Sequence, residues 1–372
     1  ERKKMNYNLR NNLIVLMSII LFSSCSTIIP ILIPFHDLPA PTGSFSVGTR
    51  VFNWEDKQRE EWFTETAGDF RKIVVQVWYP TDAVTGDPEP YLDYAHHRVK
   101  PISEQVELPP FMIKHIQDVR SNSYMNAPLK SRAEPYALVI FSHGLGGMRM
   151  QNTIQMEELA SRGFIALAMD HPFDANLTVF NDGSSADYRS AIVGEVSAEE
   201  FWNIRLPQIN TRAADVSYVL DHIKDIQTDD DDFWNMVDLE RVGIMGHSFG
   251  GATAIVASSR DTRLDACIAL DGWLVPIEQS IIKNGLNIPF LFMGQTYWPN
   301  PVNYENLDTL IAASTGSAEK LILDGTKHFD YSDTPQFSTA SRKFGISGSM
   351  DLDELRNVLN TRMVSFFELN LQ

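Results

Sequence analysis

Residues 241–257 read RVGIMGHSFGGATAIVA. An apolar run, a glycine-flanked turn holding one serine, and a stretch of small residues follow one another without a break. That order predicts a buried strand, a tight turn and a close-packed helix. Gly246-His247-Ser248-Phe249-Gly250 fits GxSxG, the nucleophile elbow. Such a turn forces its serine into a strained backbone conformation, and the residues two before and two after must lack bulk where strand and helix almost touch. Gly251 and Ala252 extend that clearance. The N-terminus of the following helix aims free N–H groups and the positive end of its dipole at charge developing beside Ser248. An ordinary strand-to-helix turn would use the same glycines, so the rest of the chain has to decide.

Outward from this stretch, apolar strands alternate with helices. Strands are expected at 137–141, 164–169, 242–245, 264–270, 288–293 and 320–323, with helices at 152–162 and 211–226. A last helix, about 351–369, shows Leu352, Leu355, Leu359, Met363 and Phe366 at helical spacing, and Asp351 with Glu354 reads as its capping box. Continuous apolar strands separated by helices imply a mostly parallel sheet covered on both faces. Ahead of it, 45–53 and 70–79 read as two further strands. Residues 80–134 carry several prolines and no long periodic segment, and read as a rim or lid loop. One domain, 43–372, accounts for all of this.

In a parallel sheet the chemistry lies at the carboxyl ends of the strands. The first apolar strand after the elbow ends at Asp271, and the segment LILDGTKHFDYSD places His328 just beyond the final strand. Of nine histidines, His328 alone follows Ser248. Ser248, Asp271 and His328 thus run in the chain order of an α/β-hydrolase. Asp324, Asp330 and Asp333 also lie near that strand end but sit too close to His328 in sequence for the expected geometry. In this reading His328 takes the proton from Ser248 Oγ, and Asp271 holds the imidazole in the correct tautomer. The segment 140–147, IFSHGLGG, is expected to point the N–H group of Leu145, and the start of the elbow helix that of Phe249, to an oxyanion. His143 and His247 suit packing of these turns better than base chemistry. Trp273, Leu274, Tyr297 and Trp298 are expected to wall an apolar pocket or to belong to the core.

Arg2, Lys3, Lys4 and Arg10 precede an apolar run at 13–22 that is short for a membrane span. With Leu21-Phe22-Ser23-Ser24-Cys25, residues 1–24 resemble a bacterial lipoprotein signal, which implies acylation of Cys25, export, and anchoring at the cell envelope. An uncleaved N-terminal anchor is the other reading. Residues 25–42, proline-punctuated and apolar, are expected to form an extended tether. Cys267, the second of two cysteines, then has no partner, so neither a disulfide framework nor a cysteine metal site is available. The whole chain carries a formal charge of −17, which makes nucleic acid a poor partner. The run 229–232 lacks calcium-loop spacing and reads as a solvated loop. His96, His97 and His115 lack the companions a metal site needs, and no cofactor is expected.

FSHGLGG, GHSFGGATA, ACIALDGWLVP, PFLFMGQTYW and the His328 segment followed by DLDEL resemble the blocks of the platelet-activating factor acetylhydrolases of the plasma and isoform II type, in that family's order, from about residue 45 to the end. The resemblance implies a calcium-independent serine hydrolase that removes short or oxidised sn-2 acyl chains from phospholipids. It places nucleophile, acid and base at Ser248, Asp271 and His328, and the oxyanion donors at Leu145 and Phe249. A general carboxylesterase or polyester hydrolase would share this triad. A catalytically dead hydrolase fold used for binding is the reading from another class, and the three retained candidates argue against it.

Overall fold

A computed structural model describes residues 28–190, 192, 194–227 and 233–372. The leader 1–24, Cys25 and the acidic run 229–232 lie outside the described residues.

Eleven strands are described: β1 (Ser46–Glu60), β2 (Phe70–Thr81), β3 (Ser123–Met125), β4 (Tyr136–Ser142), β5 (Ile165–Asp170), β6 (Leu177–Val179), β7 (Ser185–Asp187), β8 (Val237–His247), β9 (Leu264–Leu270), β10 (Phe290–Gln295) and β11 (Ala318–Leu323). Nine of them form one sheet in the order β11-β10-β9-β8-β4-β5-β2-β1-β3, while β6 and β7 make a separate hairpin. Pairing is antiparallel at β1–β2 and β2–β5 and parallel at every other junction of the large sheet.

The central strands are apolar throughout because both faces are covered, and successive side chains serve opposite cores. Leu138 and Ile140 of β4, Ile244 of β8, and Cys267 and Ala269 of β9 pack with the helices Ala198–Ile226 and Phe249–Ser258. Val139, Phe141, Met245, Ile268 and Leu270 pack on the other side with Thr153–Ser161 and Leu352–Leu371. Each such side chain taken fully from water contributes about 1.5–3 kcal/mol. Gly243 brings the C-terminal helix close: a Cβ there would lie 2.5 Å from the Phe367 ring. The Asp351 carboxylate caps that helix by accepting from the N–H groups of Asp353 and Glu354.

Several elements depart from the sequence reading. The helix expected at 211–226 starts a further thirteen residues earlier, at Ala198, capped by the Ser197 hydroxyl accepting from the Glu200 N–H, and it runs through Pro207. In 80–134 an eleven-residue helix, Ala95–Gln105, contains Pro101. Its buried Arg98 pairs with Asp93, and Arg149 joins Asp93 to Asp170 at the end of β5. Gln105 Nε2 donates to the Gly146 carbonyl at 2.8 Å, so this rim segment is bonded to the loop after β4. Helices Gln279–Asn284 and Val302–Ala313 were not expected.

The tether also differs from an extended chain. Residues 28–32 form a helical turn, closed by the Ile33 N–H donating to the Ile29 carbonyl at 2.8 Å. Ile33 and Leu38 are buried, and His115 Nε2 bonds the Ile33 carbonyl at 2.7 Å. Apolar contacts thus hold this segment on the body where sequence composition alone suggested an extended tether.

Candidate active site

β8 ends at His247, and the helix Phe249–Ser258 begins one residue after Ser248. Ser248 has φ 58° and ψ −120°, a strained backbone that the surrounding close approaches over-determine. A Cβ at Gly246 would meet the Gly250 carbonyl oxygen at 2.1 Å, and one at Gly250 would meet the Ser142 oxygen at 1.9 Å. The glycines at these two positions are therefore steric requirements. Ser248 N–H donates to the Leu270 carbonyl at 3.0 Å, and its carbonyl accepts from Trp273 N–H at 2.9 Å, which ties the turn to the end of β9.

Asp271, one residue past β9, is fully buried and has φ 41°. Its Oδ2 lies 2.6 Å from His328 Nδ1 and accepts from Gln295 Nε2 at 2.8 Å. Its Oδ1 accepts from the Gln295 N–H at 3.1 Å and from Trp298 Nε1 at 3.0 Å. The two oxygens thus have four donors, a setting that suits a charged carboxylate. The neighbouring acids are otherwise engaged. Asp330 accepts from the Lys327 and Gly348 N–H groups, Asp333 accepts from the Thr153 and Ile154 N–H groups at a helix start, and Asp324 is exposed. Of the four aspartates weighed in the sequence, Asp271 meets His328.

His328 opens a short 3₁₀ turn, His328–Tyr331, beyond β11. Its carbonyl oxygen lies 2.9 Å from His247 Nε2 and the two imidazoles stand 4.6 Å apart, which sets His328 beside the elbow. Trp298 stands edge-on to His328 at 5.2 Å.

Across the elbow is the turn after β4. A Cβ on Gly144 would lie 3.2 Å from Ser248 Cβ. Among the described residues, no internal acceptor takes the main-chain N–H of Leu145 or Phe249. A buried polar network holds this turn. Arg212 Nη2 donates to Ser142 Oγ at 3.0 Å and to the His143 carbonyl. His143 Nε2 accepts from the His171 N–H at 3.1 Å; His171 Nε2 lies 3.0 Å from Ser142 Oγ and its Nδ1 2.8 Å from Asp215 Oδ2. Arg71 forks onto Asp215 and also binds Glu61 at 2.6 Å. Burial pushes His143 well below the usual imidazole range, helped by the Arg212 charge, and lowers His171 to about 3. Both are neutral at physiological pH and serve the loop. His247 is likewise held well below its ordinary value by burial and by the neighbouring His328.

The four expected pocket residues separate. Leu274 is fully buried in the core, and Tyr297 is largely exposed. Trp273 packs tilted against Phe249 at 5.8 Å and edge-on to Phe201 at 6.0 Å, whereas Trp298 donates to the acid. Gln151, His171, Arg212, Asp215 and Gln295 were missed in the sequence. Arg212 and Asp215 carried a signal: charged residues among the core positions Ala213, Val216 and Val219 of one helix. Cys267 is buried and unpaired, its thiol pushed up to about 12 by burial.

A mostly parallel sheet with a strained serine at the β8 turn and an Asp–His pair delivered from the ends of β9 and β11 defines the α/β-hydrolase fold. A ferulic acid esterase from Streptomyces cinnamoneus superposes with a TM-score of 0.73 at 25% identity, covering 90% of this chain and 93% of the esterase. The chain belongs to the family platelet-activating factor acetylhydrolase, isoform II, whose pattern matches residues 33–372. It is 28% identical over 282 residues to a platelet-activating factor acetylhydrolase of Gallus gallus, covering 66% of each protein. Against the enzyme of Canis lupus familiaris it is 28% identical over 270 residues, 66% of this chain and 59% of the relative. A probable 1-alkyl-2-acetylglycerophosphocholine esterase of Arthroderma benhamiae is 24% identical over 225 residues, 59% of this chain and 54% of that protein. The chain thus spans just under two thirds of the length of these curated relatives, or less.

Proposed function

We propose that this chain is a serine ester hydrolase that cleaves short or oxidised sn-2 acyl chains from phospholipids. The observation that carries the chemistry is the 2.6 Å pair of His328 Nδ1 with buried Asp271, set beside strained Ser248. The substrate class rests on family membership and on the relative named for 1-alkyl-2-acetylglycerophosphocholine.

In this reading His328 Nε2 takes the proton of Ser248 Oγ as the oxygen attacks the ester carbonyl. The Leu145 and Phe249 N–H groups receive the oxyanion. Collapse expels the lysophospholipid alcohol, which leaves with the proton from His328. Water then attacks the acyl-enzyme by the same route in reverse, releasing the carboxylic acid. Asp271 holds the imidazole and stabilises its cation throughout.

The likeness to a ferulic acid esterase favours a second reading, a general carboxylesterase with the same triad. A matched pair decides: an sn-2 acetyl phospholipid against p-nitrophenyl butyrate, with chelator present and Ser248→Ala as control. Preference for the phospholipid, lost by at least a thousandfold in the variant, is the expected result. Fast turnover of the simple ester alone would leave the second reading, and activity surviving in the variant would remove both.

Export and acylation of Cys25 remain part of this proposal. The first described turn supports a membrane-facing side: Ile28, Ile31 and Leu32 are exposed, and so is Phe111, four residues from the His115 that binds this segment. No helix among the described residues is long and apolar enough to cross a membrane.

A further inference from the structure

We infer that Gln151 is a positioning residue that fixes the His247 tautomer and, through it, joins the oxyanion turn to the loop carrying the base; the inference rests on the triad reading above. Gln151 lies between the turn after β4 and the helix Thr153–Ser161. Its Oε1 accepts from the Gly144 N–H at 3.3 Å, its Nε2 lies 2.6 Å from His247 Nδ1, and its main-chain carbonyl accepts from the Asp333 N–H at 2.9 Å. His247 Nε2 lies 2.9 Å from the His328 carbonyl oxygen.

Donor and acceptor rules leave this chain one arrangement. A main-chain N–H only donates, so the side-chain atom facing Gly144 is the carbonyl oxygen of Gln151. The amide NH₂ therefore faces His247, and Nδ1 accepts. The single proton of a neutral imidazole then sits on Nε2 and donates to the His328 carbonyl, which is an obligate acceptor. His247 is 2% exposed and desolvated, which keeps it neutral beside a base that becomes cationic during turnover. The opposite tautomer would set two donors against each other at Gln151 and two acceptors at His328. One amide thus specifies the donor that holds the main chain of the base, while its other end holds Gly144 against the elbow. A Cβ on Gly147 would lie 2.0 Å from Gln151 Oε1, so that glycine leaves the amide its place.

The test reads the tautomer and the turnover separately. In the full-length protein, ¹⁵N spectra of His247 are expected to show the neutral Nε2–H form across the pH range of activity. Gln151→Met keeps the volume and removes both side-chain bonds. It is expected to lower kcat about tenfold with KM within twofold, to slow fluorophosphonate labelling of Ser248 by the same factor, and to raise the share of the Nδ1–H form of His247 above the wild-type level, with the His328 carbonyl alone still favouring Nε2–H. Gln151→Glu keeps an acceptor for Gly144 and removes the donor, so His247 is expected to gain a proton on Nδ1. A role in packing alone would leave Gln151→Met at the wild-type rate with an unchanged His247 spectrum, and that result overturns the proposal. So does an Nδ1–H form of His247 in the wild type, or an unchanged His247 signal in Gln151→Glu. The spectra need no turnover. Failure of the hydrolase reading would show as full activity in Ser248→Ala or His328→Ala and would leave the tautomer result as it stands.

Discussion

At Ser248 and Asp271 two non-glycine residues have positive φ, 58° and 41°, and both sit where a strand end must present a side chain. Holding such conformations costs on the order of 1–3 kcal/mol each and persists only where neighbours dictate it. For Asp271 those neighbours include the indole of Trp298. Trp298→Phe keeps an aromatic ring beside His328 and deletes one donor to the acid. A hydrogen bond to a charged group contributes about 1.5–3 kcal/mol, so kcat is expected to fall roughly tenfold with KM little changed. Steady-state kinetics check it; a rate within twofold of wild type would show that Asp271 does not depend on the indole. Ser248 was legible because glycine spacing is local. Trp298 was left between pocket wall and core because nothing in the sequence says which face of its loop turns inward.

The helix Thr153–Ser161 shows what an element can hide. All nine of its residues are buried, including Glu157, which accepts from the Asn122 N–H at 2.7 Å and Nδ2 at 2.9 Å and from Ser123 Oγ at 2.5 Å. Burial outweighs these donors and raises the carboxyl to about 7. A carboxyl raised in the fold binds a proton there that the unfolded chain has already released. Its contribution is therefore full below about 4.5 and is lost as pH rises through about 7, on the order of 3 kcal/mol in all. Melting temperatures of wild type and Glu157→Gln from pH 4 to 8 check this. The wild type is expected to lose stability relative to the variant across that window, and parallel curves would contradict it. Elements with strong apolar periodicity were found close to their true bounds. The long helix Ala198–Ile226 and the helix Ala95–Gln105 were cut or missed at Pro207 and Pro101, because tertiary packing overrides the local cost of an interior proline.

For the whole molecule, a charge of −17 opposes anionic surfaces, so under the proposed acylation of Cys25 an approach to lipid would depend on apolar contact and the acyl chain. One buried acyl chain binds a bilayer with a constant of only about 10⁴ M⁻¹, and added apolar contacts would therefore register. Cosedimentation with zwitterionic vesicles is expected to fall at least tenfold in Cys25→Ser and further on adding Ile31→Asp and Leu32→Asp. Turnover of p-nitrophenyl butyrate in solution stays unchanged. Equal vesicle binding in all three proteins would rule out both the anchor and this face.

Local order along the chain was enough for the α/β class, the position of the elbow, and His328, since strand–turn–helix patterning and chain order are properties of sequence. Asp271 was favoured over Asp324, Asp330 and Asp333 by its place at a strand end, and the fold adds the contact itself, His328 Nδ1 at 2.6 Å from Asp271 Oδ2. Arg212 and Asp215 on the helix Ala198–Ile226 and His171 just past β5 likewise meet beneath the oxyanion turn only in the fold. Gln151 shows the reason: its partners are seven and ninety-six residues away, and a hydrogen bond between them exists only after β4 and β8 have paired.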